Sequence, residues 1–194
     1  MSFFRRFSSA LILCVAAFSL AGCMSKDDKV NLIYAPDGNA AIPAHTAPRV
    51  VVAQFEDQRG RTDIGVRREG TPLKAASDVS QWVSQSLADA LARAGMQVSV
   101  APDLQHAQVG RPDAIVTGVV ERAWLEEQSL GSCQASIRIQ TSLHRDYRPD
   151  VTRNFSSQQE RKGIPGMKLI EGTLASTLED AVFNAAEFIA AELR

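Results

Sequence analysis

The chain has 194 residues and a formal net charge of −1, from 22 acidic and 21 basic side chains. No cluster of lysine and arginine stands out from an ordinary solvated surface, so we expect no nucleic-acid partner. The three histidines lack the spacing of metal ligands, and there is no glycine-rich phosphate loop. We therefore expect neither a metal nor another cofactor.

The first 23 residues have the parts of a secretory signal that ends in a cysteine. Arginines at positions 5 and 6 precede an apolar stretch, 10–20, which is too short to span a bilayer as a helix. The run Leu-Ala-Gly-Cys at 20–23 resembles the lipobox of bacterial lipoproteins. This resemblance implies removal of residues 1–22 and acylation of Cys23, with palmitate among the expected chains. A signal cut elsewhere and a core helix are the alternatives, and the three parts together favour lipidation.

Lipidation of Cys23 predicts where the protein resides. A single acyl chain gives reversible membrane binding, whereas three chains make the attachment effectively permanent. Met24 stands where the enterobacterial lipoproteins that this sequence resembles carry an aspartate for retention in the inner membrane. We therefore expect a protein anchored on the periplasmic face of the outer membrane, in preference to the inner membrane.

Residues 23–48 predict a lipidated N-terminus followed by a flexible tether. Charged residues at 26–29 are followed by turn-forming residues, namely Pro36, Gly38, Pro43 and Pro48. Fully extended, a tether of about 25 residues reaches about 80 Å. Residues 30–34 have strand character, so this segment either pairs with an edge of the following domain or remains free.

Residues 49–194 predict one globular domain. An apolar strand at 49–55 leads through a charged loop, 56–68, to a helix capped by Ser77 or Asp78. The later segments are strands at 96–100, 114–125 and 132–143, a polar candidate for an edge strand at 152–161 and a closing helix at 173–193. The order strand, helix, strand, strand, strand, helix predicts an α+β fold, with two helices on one face of a largely antiparallel sheet.

The two longest strands, 114–125 and 132–143, predict a hairpin. The second strand alternates strictly between apolar and polar residues, so we expect one of its faces to be buried and the other to be exposed to solvent. Cys133 lies on the apolar side, which favours a buried, inert thiol over a redox or intermolecular role. The strand at 152–161 is polar and is expected at a sheet edge. Three hairpin carboxylates are expected on an exposed polar face: Glu121, Glu126 and Glu127.

Several residues in this layout resemble the YajG family of bacterial lipoproteins, which has no settled biochemical activity. The likeness is carried by Cys23, residues 55–59, the dipeptide Ile64-Gly65, the helix from Trp82 to Leu91 and the hairpin around 116–139. It covers most of the chain after the tether and implies an envelope lipoprotein. On layout alone, the likeness extends to auxiliary lipoproteins of envelope ABC transport systems.

The densest polar cluster lies in the loop after the first strand. Asp57 and Arg59 point to the same side if the strand continues, so an ion pair that anchors the loop is one interpretation. The other is a surface that binds a partner or an anionic ligand. The residues of this candidate binding surface are Asp57, Arg59, Arg61, Arg67 and Arg68.

The sequence contains no recognisable catalytic constellation, so we expect no enzyme activity. It favours a binding or scaffolding module that displays a surface to an envelope protein or to peptidoglycan. The alternative is a carrier of an apolar ligand such as a lipid for an envelope transport system. An enclosed apolar cavity between helices and sheet would favour the carrier, whereas a filled core with an exposed strand edge would favour the scaffold.

Overall fold

The structure is a computed structural model that describes residues 28–36 and 42–194. The predicted signal, residues 1–22, and the predicted acylation site, Cys23, lie outside the described residues. Within these two ranges, no helix is both long and apolar enough to cross a membrane.

The described chain forms nine strands and three helices. The strands are β1 (Asp28–Val30), β2 (Arg49–Ala53), β3 (Glu56–Asp57), β4 (Asp63–Val66), β5 (Pro72–Ala75), β6 (Gln97–Ala101), β7 (Ala114–Ser129), β8 (Ser132–His144) and β9 (Val151–Lys162). The helices are α1 (Val79–Arg93), α2 (Leu104–Ala107) and α3 (Met167–Glu192). Every element predicted for the α+β domain is present, and β1, β3, β4, β5 and α2 are additional.

The central strand of the sheet is β7, which is 16 residues long. On one side of β7, β8 and then β9 follow in antiparallel pairing. On its other side, β2, β3 and β4 pair in parallel with successive stretches of β7. The sheet continues through β6 next to β2, and through β5 and β1 next to β4.

The prediction of a largely antiparallel sheet is therefore correct only in part, because the sheet is mixed. Five of its eight strand pairings are parallel. β2 and β6 are parallel because α1 crosses over between them, as parallel neighbours require. β3, β4 and β5 have two to four residues each, too few for an alternation pattern to reveal them.

The two long helices, α1 and α3, pack against one face of the sheet and against each other. Apolar side chains at helical spacing line their packed faces, among them the fully buried Val83, Leu87 and Leu91 of α1 and Leu178, Val182 and Ile189 of α3. Burial of one such side chain contributes about 1.5–3 kcal/mol. α3 begins earlier than predicted, at Met167, because Ile170 extends the buried stripe toward its N-terminus.

The predicted alternation of β8 is also confirmed. Cys133, Ile137 and Leu143 are buried on the helix side, and Arg138 is exposed on the other side. Burial raises the pKa of the Cys133 thiol, which keeps it protonated and unreactive. β7, β8 and β9 therefore present one face to the helices and one polar face to solvent.

Candidate functional site

Residues 28–36, part of the predicted tether, are packed against the domain. β1 pairs in parallel with β5, and Val30 is fully buried. The Trp82 indole donates a hydrogen bond to the Ile33 carbonyl at 3.0 Å. The Asn31 backbone N–H donates to a Glu171 carboxylate oxygen at 3.1 Å. Of the predicted strand segment 30–34, only Val30 lies in a paired strand. Residues 31–34 have no strand structure and are held against the domain by contacts with α1 and α3.

Arg67 joins this segment to the sheet. Its Nε donates to Glu127 Oε2 at 2.6 Å, and its Nη1 donates to Asp28 Oδ2 at 2.8 Å. The Glu127 side chain is 6% exposed, so the prediction of an exposed carboxylate there is wrong. Glu127 continues the buried face of β7 after Ala123 and Leu125, and Arg67 neutralises it. We call Asp28, Arg67 and Glu127 the N-terminal clamp.

Asp57 and Arg59 form the ion pair that was one interpretation of the loop cluster. Arg59 donates from Nε and Nη2 to the two carboxylate oxygens, at 2.8 and 2.7 Å. Hydrogen bonding from Arg59 lowers the pKa of Asp57. The Arg59 side chain is largely buried, so this pair anchors the loop after β3.

The remaining arginines of the candidate binding surface are separated from that pair. The Arg61 guanidinium lies 4.6 Å from the ring centre of Trp124, on the open face of β7. Arg67 lies in the N-terminal clamp, on the helix side of the sheet. Arg68 is exposed, and its backbone N–H points to Glu127 Oε2 at 3.4 Å. Arg61 and Arg67 thus lie on opposite faces of the sheet, and binding of an anionic ligand by any of these residues stays a prediction.

β9 confirms the predicted edge strand. Among the described strands it pairs with β8 alone, along an unbroken register of twelve residue pairs from Ser132↔Lys162 to Leu143↔Val151. On its helix side, Phe155 packs against Phe188 of α3, with ring centres 5.8 Å apart. The Gln159 side chain is hydrogen-bonded to Asp180 of α3. The strand is thus held in place by β8 and α3 and leaves its outer edge open.

The direction of each backbone N–H in β9 follows from one hydrogen bond. The Gly163 N–H donates to the Gly131 carbonyl at 2.9 Å, so residue 163 points toward β8. N–H direction alternates along an antiparallel strand, and the register has no bulge. The outward N–H groups therefore belong to the even-numbered residues: Thr152, Asn154, Ser156, Gln158, Glu160 and Lys162. We call this row the β9 edge.

An open groove of about 660 Å³ lies on the outer side of the helices, between α1 and α3. The exposed Phe183 ring and several charged side chains line it, among them Arg93 and Glu179. Tyr34 lies at its margin, where burial and the nearby Asp89 and Glu179 charges raise the pKa of Tyr34 to about 12. The space between helices and sheet, where the carrier alternative requires its groove, is occupied by buried core side chains.

Two of the described histidines pair with a nearby aspartate. His106 contacts Asp103 at the start of α2, and His144 lies 2.8 Å from Asp150. No group of three or more histidine, cysteine, aspartate or glutamate side chains in residues 28–36 and 42–194 is arranged to hold a metal ion.

No family model matches this chain, and no curated protein matches it. Among solved structures, 37 chains match. A Xanthomonas campestris protein of the family DUF330 is 16% identical, with a TM-score of 0.60 over 84% of this chain and 96% of that one. A protein described as uncharacterized is 13% identical, with a TM-score of 0.51 over 87% of this chain and 99% of that one.

A lipoprotein from Neisseria meningitidis is 15% identical, with a TM-score of 0.39 over 74% of this chain and 99% of that one. This similarity is too low to support an inference. The first two structures show the fold alone, and the resemblance to the YajG family stays a prediction.

Proposed function

We propose that this protein is a lipid-anchored, non-catalytic scaffold of the bacterial cell envelope, which binds an extended segment of a partner protein at the β9 edge. The anchor is Cys23, and the periplasmic face of the outer membrane is the proposed location. The observation that carries the binding role is the β9 edge itself, a twelve-residue strand whose outward backbone groups are open on a domain with a filled core.

The β9 edge fits strand addition because its unused N–H and C=O groups follow one another along an unbroken register of twelve residues. In strand addition, main-chain hydrogen bonds supply affinity and side-chain pockets on alternate residues supply specificity. An exposed edge of this length is a liability unless it is protected or used. The charged side chains of the strand, Arg153, Glu160, Arg161 and Lys162, give it partial protection from indiscriminate pairing.

This geometry favours a protein over peptidoglycan. Strand addition needs several consecutive peptide units in extended conformation, with carbonyls and N–H groups at the spacing of a strand. The segment that follows the predicted anchor does not fill the edge, because β1 pairs with β5 at the other side of the sheet. A segment from another chain is therefore the proposed occupant.

The carrier alternative has less support. Its ligand would have to occupy the groove between α1 and α3, which is open and bordered by Arg93 and Glu179. Sites for apolar ligands are usually enclosed and bury most of the ligand surface.

A pair of substitutions at one position tests the β9 edge. Gln158→Pro removes an outward N–H without removing a bond to β8, and Gln158→Ala keeps that N–H while also removing the polar amide of the side chain. A photo-crosslinking amino acid replaces Ser156 in each chain. In intact cells, we expect a crosslinked product with an envelope protein in the parent and in Gln158→Ala, and no such product in Gln158→Pro.

Thermal unfolding of both variants is the control, since each should melt close to the parent. Ser157→Pro removes a bond to β8 and should be clearly less stable, which checks the assigned N–H directions. Undiminished crosslinking in Gln158→Pro would contradict the proposal.

The anchor is tested by Cys23→Ser. Because acylation requires the thiol, this variant should lose the lipid-dependent increase in mass and appear as an unprocessed or soluble species in cell fractionation. A Cys23→Ser protein of wild-type mature mass in the membrane fraction would contradict the lipid anchor.

A further inference from the structure

Three turns meet at one end of the sheet. They are the β4–β5 turn (67–71), the β7–β8 turn (130–131) and the β9–α3 loop (163–166). The hydrogen bond between Gly163 and Gly131 joins the second to the third. Arg67 of the first turn reaches Sδ of Met167, the residue directly after the third, at 3.9 Å. We call these three turns together the turn end.

The chain enters the described domain from the turn end. β1 is parallel to β5, β5 is antiparallel to β4, and β4 is parallel to β7, so β1 runs opposite to β7. Asp28, the first residue of β1, therefore lies toward the C-terminal end of β7, where the turn end is. The N-terminal clamp fixes Asp28 there through Arg67.

The distance from the anchor to the turn end is short. Cys23 precedes Asp28 by five residues, which span at most about 17 Å even when fully extended. This is much less than the roughly 80 Å available if the whole predicted tether were free. A lipid on Cys23 thus keeps the turn end close to the bilayer surface.

The turn end carries apolar side chains at its tips. Leu130 is 74% exposed and Ile164 is 90% exposed. The opposite end of the sheet also has exposed apolar residues, Val109 and Tyr147. Exposure of apolar side chains therefore does not decide which end of the sheet faces the membrane. The point at which the chain enters the domain decides it, because that point lies at the turn end.

The charges at the turn end are compatible with a phospholipid surface. Three basic side chains, Arg68, Lys162 and Lys168, are exposed around the two apolar tips. Glu69 in the β4–β5 turn and Glu160, 3.5 Å from Lys162, oppose them. Basic residues at a membrane surface are attracted to anionic lipid headgroups, and apolar tips insert among them.

We propose that the turn end is a membrane-contacting surface, in which Leu130 and Ile164 insert into the phospholipid interface and the β9 edge stands upright from the bilayer. This inference rests on the proposed anchor at Cys23. It assigns the acylated protein a fixed orientation, in which the N-terminal clamp sits at the membrane and the β8–β9 turn points away from it.

Site-directed quenching tests this orientation. The full acylated protein is purified as four single variants: Leu130→Cys, Ile164→Cys, Val109→Cys and Tyr147→Cys. Each variant is labelled with bimane and reconstituted in vesicles of phosphatidylethanolamine and phosphatidylglycerol with brominated acyl chains, which quench bimane fluorescence. Cys133 is buried, which protects it from the label. We expect loss of bimane fluorescence at 130 and 164, and unchanged fluorescence at 109 and 147.

Vesicle flotation separates this inference from the anchor. If the acylated protein floats with the vesicles and the labels at 130 and 164 are not quenched, the membrane contact is refuted and the anchor stands. Equal quenching at all four positions also refutes it, because the domain would then have no preferred orientation. If acylated protein does not float, the anchor and the membrane contact both fail.

Discussion

Replacement of Arg67 by methionine should lower the free energy of unfolding by about 3 kcal/mol. Methionine keeps much of the apolar stem of the arginine but leaves the Glu127 carboxylate, 6% exposed, without its cation. Removal of one partner of a fully buried ion pair costs about 3–5 kcal/mol. We take the lower figure because the Arg67 side chain is 19% exposed.

The second ion pair of the N-terminal clamp adds little to that cost. The Asp28 side chain is 37% exposed, and exposed pairs contribute about 0–1 kcal/mol. Its loss should instead free residues 28–36. For a domain of this size, a loss of about 3 kcal/mol corresponds to a fall in Tm of about 6–12 °C.

Urea titration of the chain that starts after residue 22 and carries Cys23→Ser measures this loss, with circular dichroism and tryptophan fluorescence as the two probes. The control is the double variant Arg67→Met, Glu127→Met, which leaves no buried charge unpaired. It should be more stable than Arg67→Met alone. An unchanged urea midpoint in Arg67→Met would refute the clamp, as would a double variant that is no more stable than Arg67→Met.

Two further substitutions test the contacts of α1. Trp82→Ala should lower the free energy of unfolding, measured by urea titration, by about 3–5 kcal/mol, because the indole is buried and donates to the Ile33 carbonyl. Limited proteolysis should also cut residues 31–36 faster in this variant. A wild-type urea midpoint would show that the helix faces another way. Asp78→Ala should cost about 1 kcal/mol at neutral pH, because Asp78 caps α1 by accepting from the Gln81 N–H at 2.7 Å. Hydrogen bonds from Ser80 and Gln81 lower the pKa of Asp78 in the folded state. The stability difference between wild type and Asp78→Ala should therefore be present above the unfolded pKa, near 4, and vanish as pH falls through the folded pKa. A stability difference that grows as the pH falls would contradict this prediction.

Much of the fold could be predicted because its signals are local. Alternation in 132–143 and the helical stripe of Val83, Leu87 and Leu91 repeat within a few residues, and burial follows such repeats directly. The polar character of 152–161 likewise indicated an edge strand. β3, β4 and β5 could not be predicted, because segments of two to four residues are stabilised by their neighbours in the sheet and carry no period of their own.

The sequence by itself determined the two long helices and the polarity of each face of β8, and it predicts a secretory signal that ends in Cys23. Only the tertiary structure decided that Arg67 meets Glu127, sixty residues away, and so fastens Asp28 and the N-terminal segment to the sheet. It also decided which N–H groups of β9 point outward. The reason is that pairing and register between distant strands depend on the order of the whole sheet, which local preference for helix or strand does not encode.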